Sequence, residues 1–314
     1  MTAPRNGSAP TEQPAEPDPL RAQARALDAA LPEIDWTIPA EGAVHDEFAA
    51  PSGPLARWSV GPADGERVLM VPGASGSKED FVLLAPPLVA AGYWVEAIDL
   101  AGQYESHRAG PAAGARYDYE LFVGDLLALL EAGGPAHLLG YSFAATLAQL
   151  ALLRRPELVL SLALLSPTPD HGDAFRTIKK IGALSPFVGD RTGAGLMIWG
   201  IRTNKNKVGA SRLGFVRDRF ALTRRDSMDD IIGLMRRTPD LDHAVRAQPI
   251  PKLVAVGEHD LWPVHRHADF ARRIGARFAV YPTGHSPCET TPNEFALDLL
   301  ALYEAAGATP SSSS

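Results

Sequence analysis

Cysteine is almost missing: Cys288 is the single thiol in 314 residues. No disulfide can close within the chain, and a reducing, cytoplasmic compartment is the expectation. Long apolar runs are missing too. None approaches the ~20 residues of a membrane span, and the first residues lack the apolar stretch of a secretory signal, so no integral membrane association is expected. Positive charge is in the minority, with 30 Lys and Arg against 37 Asp and Glu and a net charge of −7. A nucleic-acid partner, which needs a basic surface, is therefore not expected. Metal-ligand spacing is absent apart from an isolated His265-x-His267. No Gly-x-Gly-x-x-Gly follows a strand pattern, which leaves a nicotinamide or flavin site without support. The stretch Pro72-Gly73-Ala74-Ser75-Gly76-Ser77-Lys78 lacks the spacing of a phosphate loop. No cofactor is expected.

What remains is 46% apolar, enough for a large core. Residues 1–20 are rich in Pro, Ala and Glu and read as a disordered leader, and 307–314 as a disordered tail. Between them, apolar runs alternate with helical patterns. Strands are expected at 44–48 and 55–60, as a hairpin turning at Pro51-Ser52-Gly53-Pro54, and at 68–71, 93–100, 159–165, 252–256 and 277–281. Helices are expected at 79–91, broken or kinked at Pro86-Pro87, at 119–131, after Ser142, and at 292–304. Such alternation implies a mainly parallel, doubly wound α/β sheet covered on both faces. The alternation is interrupted from 170 to 248, where apolar residues recur at helical spacing (Phe215, Phe220, Leu222; Ile231, Ile232, Leu234, Met235). About half of the Lys and Arg fall in this stretch. They form either a solvated surface or a mouth that attracts anionic substrates, a carrier protein or lipid head groups.

The chemistry is concentrated in four places. Ala136-His137-Leu138-Leu139-Gly140-Tyr141-Ser142-Phe143-Ala144-Ala145 is an apolar strand run that ends in a tight turn and enters a small-residue helix. That is how a nucleophilic serine is presented clear of the chain. A Gly-rich loop after an earlier strand, Pro72-Gly73-Ala74-Ser75-Gly76, precedes it. An acid follows a later strand in Gly257-Glu258-His259-Asp260-Leu261-Trp262-Pro263. A histidine lies past the last strand in Gly284-His285-Ser286-Pro287. A serine hydroxyl needs a base during attack, and an imidazole supplies one near neutral pH. His285 is the expected base, with a rate that rises with pH across roughly 6 to 7.5 as imidazole titrates.

Taken together, Gly140-x-Ser142-x-Ala144, the loop after 68–71, the acid and the final histidine make the chain resemble the α/β-hydrolase superfamily from about 44 to 302. The pattern departs from the family's at Ala144, where glycine is usual, and at Pro72, where histidine is usual. The resemblance implies a core of 21–169 and 249–306 with a helical lid inserted at 170–248. It implies a triad of Ser142, Asp260 and His285, in which Glu258 and Asp170 stay open as alternatives for the acid. It implies an oxyanion hole from the backbone N–H groups of Phe143 and Ala74. Asp99-Leu100-Ala101-Gly102-Gln103-Tyr104-Glu105-Ser106 resembles a family loop with Tyr104 in place of a glycine. Tyr104, Trp199 and Trp262, with Met197, Ile198, Phe215 and Phe220, are candidates to line an acyl pocket, although internal lid packing explains such residues equally well. The implied activity is a serine hydrolase that cleaves the carboxylic ester or thioester of a small-molecule acyl substrate through an acyl-enzyme. The alternatives are a ligand-binding or sensor protein on the same scaffold, a thioesterase or acyltransferase that docks a carrier protein on the basic lid, and a C–C hydrolase.

Overall fold

The computed structural model describes residues 18–177 and 210–308. Eight strands form one sheet: β1 (Val44–Ala50), β2 (Gly53–Val60), β3 (Arg67–Val71), β4 (Trp94–Ile98), β5 (Ala136–Tyr141), β6 (Val159–Leu165), β7 (Lys252–Gly257) and β8 (Arg277–Tyr281). Their order is β1-β2-β4-β3-β5-β6-β7-β8. The β1–β2 and β2–β4 pairs are antiparallel and every later pair is parallel. The chain moves outward from β3 to β4 and then crosses back to β5, so the strand order reverses between β3 and β5. Ligands of open α/β sheets gather outside the carboxyl ends of the strands at such a point.

Strand periodicity sorts the core. Along β3, β5, β6 and β7, successive side chains point to opposite faces. Leu69, Val71, Leu138, Leu162, Leu164, Val254 and Val256 fill one layer. Val68, Met70, Leu139, Ala163, Leu165, Leu253 and Ala255 fill the other. Helices α3 (Tyr119–Gly133), α4 (Phe143–Arg154) and α8 (Val264–Ile274) close the first layer, and α2 (Ala85–Ala90) and α10 (Pro292–Gly307), preceded by the short α9 (Pro287–Thr290), close the second. Each fully buried Leu or Val contributes about 1.5–3 kcal/mol.

One element differs in detail from the sequence expectation. The stretch 79–91 is broken, but ahead of the Pro86-Pro87 pair: a 3-10 turn, Lys78–Phe81, precedes α2, and the pair falls within the first turn of α2. Proline there starts a helix, because the N–H it lacks would have had no partner. Near the amino end lies α1 (Pro19–Ala29). It is held on α10: Arg21 bonds Asp298 at 2.9 Å, Arg25 bonds Glu294 at 2.8 Å, and the Asp28 carboxylate accepts the backbone N–H groups of Asn293 and Glu294. Those are first-turn N–H groups of α10, which attract negative charge.

Between β6 and β7 the described residues form α5 (Ala210–Leu222), α6 (Arg225–Met235) and α7 (Asp242–Arg246). The buried face of α5 is Arg212, Phe215 and Arg219, so two of its three buried side chains are charged. Both arginines meet the Asp80 carboxylate, Arg212 also pairs with Glu289, and the Arg212 guanidinium lies 4.2 Å from the centre of the Trp36 ring. Part of the basic excess of this stretch is thus neutralised by core acids and does not face solvent. Replacing Arg212 with Met leaves Glu289 without this partner and Asp80 with Arg219 alone. Breaking a buried pair in this way costs about 3–5 kcal/mol, to be read as a lowered midpoint in urea unfolding. A loss under about 1 kcal/mol would mean the pair behaves as a surface contact.

Candidate active site

Ser142 follows β5 and begins the turn into α4. Its backbone stands at φ 54°, ψ −114°, a conformation that a residue with a side chain adopts only when its surroundings enforce it. The surroundings are visible. The N–H of Ser142 donates to the carbonyl of Leu165 at 2.8 Å, and the N–H of Ala145 donates to the carbonyl of Ser142 at 3.0 Å. A Cβ on Gly140 would come 2.4 Å from the Ala144 carbonyl oxygen, and one on Gly73 would come 2.9 Å from Ser142 Cβ. Glycine is therefore required at 140. At 144 only a small residue is needed, since that position contributes its backbone to the close approach, and this accounts for Ala144.

Gly73 and Ala74 follow β3, which pairs with β5 up to Val71 and Gly140. The loop after β3 thus lies against the serine turn. Phe143 is the first residue of α4, a position whose N–H has no acceptor within the helix. Ala74 is half-buried. The loop is braced from behind: Ser75 N–H donates to the Gln103 side-chain oxygen at 3.0 Å, and the Gln103 amide donates to Ser227 on α6 at 2.8 Å.

The acid and the histidine arrive from the ends of β7 and β8. A Cβ on Gly257 would come 1.9 Å from the Gly284 carbonyl oxygen, so the two loops touch backbone to backbone and only glycine fits. Across that contact His285 Nδ1 meets Asp260 Oδ2 at 2.8 Å, and His285 Nε2 meets Ser142 Oγ at 3.2 Å. The other carboxylate oxygen of Asp260, Oδ1, takes the N–H of Trp262 at 3.1 Å and Nε2 of His267 at 3.3 Å. Burial pushes the Asp260 carboxyl up, but the facing His285, with hydrogen bonds from His267 and His285, outweighs it. The carboxyl is held well below the usual carboxylate range. Asp260 is therefore an anion sealed from water that faces the imidazole.

The competing acids lie elsewhere. Asp170 bonds Arg266 at 3.0 Å, and Glu258 pairs with His259 at 3.2 Å, with both side chains largely solvated. Trp262 is buried, donates its indole N–H to the Ala174 carbonyl at 2.8 Å, and stands 6.0 Å from the His285 ring. It walls the histidine. Tyr104 packs edge-on against Phe215 at 5.7 Å, with Lys78 Nζ 5.1 Å from its ring centre. Burial pushes its hydroxyl up to about 12, so it remains a neutral donor. Met197, Ile198 and Trp199 lie outside the described residues. Cys288 is buried, and burial pushes its thiol well up, which suits an inert structural role. His267 is the residue at the site that sequence reasoning passes over. Its signal was seven residues of spacing from Asp260, visible only once a helix is placed there.

Solved structures share this architecture. A thermophilic esterase from Thermogutta terrifontis superposes with a TM-score of 0.66 at 20% identity, covering 84% of this chain and 99% of that one. A thioesterase domain from the curacin biosynthetic pathway gives 0.62 at 17% identity, covering 82% and 99%. A meta-cleavage product hydrolase from Pseudomonas fluorescens gives 0.64 at 18%, covering 83% and 98%. No curated protein matches the sequence significantly. At such identities the structures speak for the fold, and the sequence itself supplies the rest: residues 68–299 match the model of the alpha/beta hydrolase family, and the chain belongs to that family.

Proposed function

We propose that the protein is a serine hydrolase that cleaves a carboxylic ester or thioester through an acyl-enzyme. The observation that carries this reading is the continuous chain from Ser142 Oγ through the His285 ring to the Asp260 carboxylate. Ser142 attacks the acyl carbon while His285 Nε2 takes its proton. Asp260 holds His285 with Nδ1 protonated and stabilises the imidazolium that forms. The oxygen that gains charge is met by the N–H groups of Phe143 and Ala74, each worth roughly 3 kcal/mol in the transition state. The imidazolium then protonates the leaving group, and water enters by the same route in reverse. The helices between β6 and β7 serve as the lid, with α5 clamped to the core by Arg212 and Arg219. The esterase and thioesterase among the structural neighbours support acyl chemistry, and C–C bond hydrolysis is the nearest alternative for the same triad.

A fluorophosphonate probe, which phosphonylates only an activated serine, is expected to place a single adduct on Ser142, mapped by mass spectrometry. A folded protein that stays unlabelled would refute the reading and favour a ligand-binding role.

A further inference from the structure

Asp260 is held by histidine from both sides. His285 comes from the loop after β8 and reaches Oδ2; His267 comes from α8 and reaches Oδ1. The two rings differ in every other respect. His285 opens onto Ser142, whereas His267 is fully buried and its Nδ1 has no hydrogen-bond partner. An ionised carboxylate only accepts, so the nitrogen of His267 that meets Oδ1 carries the proton. The other ring nitrogen, Nδ1, meets no acceptor, so Nε2–H is the polar contact this ring makes. An apolar side chain of the same volume would fill this space without burying an unpartnered ring nitrogen. A histidine here is explained by the donor it presents.

We propose that His267 is a positioning residue of the triad, whose Nε2–H, together with the Trp262 N–H, pins Oδ1 of Asp260 and keeps Oδ2 aimed at His285. The inference rests on the serine-hydrolase reading above. Turning the carboxylate would break both bonds to Oδ1. Trp262 fixes the spacing of the two rings, standing 6.2 Å from His267 and 6.0 Å from His285. The donors on Oδ1 also draw charge from the carboxylate and moderate its pull on the imidazolium. Without them His285 would hold its proton to higher pH. His285 and His267 face Asp260. Asp260 and Tyr141 face His285, and the Tyr141 hydroxyl, kept neutral by burial, is engaged with Ser286 Oγ at 2.8 Å.

The test is the second-order rate of fluorophosphonate labelling at Ser142 between about pH 5 and 9, which follows the free-base form of the histidine without a known substrate. It is run on the wild type, His267→Leu and His267→Gln, with Ser142→Ala as the blank and thermal melts as the folding control. In His267→Leu the plateau rate is expected to fall roughly tenfold or more. Its acid limb is expected to move to higher pH by roughly half a unit or more. In His267→Gln, whose amide nitrogen can occupy the place of Nε2, most of both is restored. Should His267→Leu not fold, His267→Asn takes its place: it is too short to reach Oδ1 and must show the loss that His267→Gln does not. Variants that label with the wild-type plateau and midpoint would overturn the inference, as would a glutamine no better than leucine or asparagine. A wild type that does not label at Ser142 overturns the hydrolase reading itself, an outcome distinct from unchanged profiles in proteins that do label.

Discussion

Ester turnover is expected to fall by about 10⁵- to 10⁶-fold in Ser142→Ala, the loss seen when a triad nucleophile is removed. The substitution deletes only Oγ, whose hydrogen bond is to His285 Nε2. The turn that holds residue 142 at φ 54° is built from the backbone bonds to Leu165 and Ala145 and the close approach of Gly140, and all of these survive in the variant. Stability should therefore change by no more than about 1 kcal/mol. What is left is the roughly 10³- to 10⁴-fold acceleration that an oxyanion hole and substrate binding supply by themselves. The measurement is hydrolysis of p-nitrophenyl esters of graded chain length, with a melt recorded on the same preparation. A folded variant that keeps more than about a hundredth of the wild-type kcat would remove Ser142 from the mechanism.

Asp260→Asn is expected to cost about 10⁴ in kcat, for a reason particular to this site. Oδ1 already receives two donors, Trp262 N–H and His267 Nε2–H. The amide oxygen of asparagine must take that position, since an NH₂ there would face two other N–H groups. The NH₂ is then forced toward His285 Nδ1, which must become an acceptor. The proton moves to Nε2, and a protonated Nε2 cannot receive the proton of Ser142. The loss therefore arises from tautomer choice with the site's shape intact. Asp170→Asn and Glu258→Gln, whose carboxylates bond Arg266 and His259, should stay within about threefold of wild type. If either of these fell as far as Asp260→Asn, or if Asp260→Asn kept most of its rate, the acid would have to be reassigned.

The parts of this protein that were legible in its sequence are those that local physics controls. Apolar runs such as Val68–Val71 and Leu162–Leu165 announce strands buried on both faces, and they occupy the centre of the sheet. Glycines at 73, 140 and 257 mark places where one backbone nearly touches another. The order serine, acid, histidine along those loops follows from the topology that brings the carboxyl ends of β5, β7 and β8 to one edge. The acid was narrowed to three residues on sequence grounds, and geometry separates them: only Asp260 lies within hydrogen-bonding reach of His285 among the three.

Other features depended on partners distant in the chain. Arginine at 212 and 219 looks like a solvated helix face, because periodicity reads charge as exposure. Both are buried because Asp80, far back in the chain, meets the two of them and Glu289, far ahead, also meets Arg212. The Pro86-Pro87 pair looks like a kink or break within one helix until the turn at Lys78–Phe81 shows that a new helix starts there. His267 looks like half of a poor metal motif, and its actual partner is a carboxylate. By itself the sequence determined the sheet, the strained serine turn and the types of residue that the proposed acyl chemistry needs, since these rest on side-chain alternation, steric room and intrinsic chemistry. Tertiary structure alone decided which carboxylate faces the imidazole, which arginines leave water and which histidine holds the acid in place, since a charge or a ring nitrogen takes its role from whatever the fold brings within about 3 Å of it.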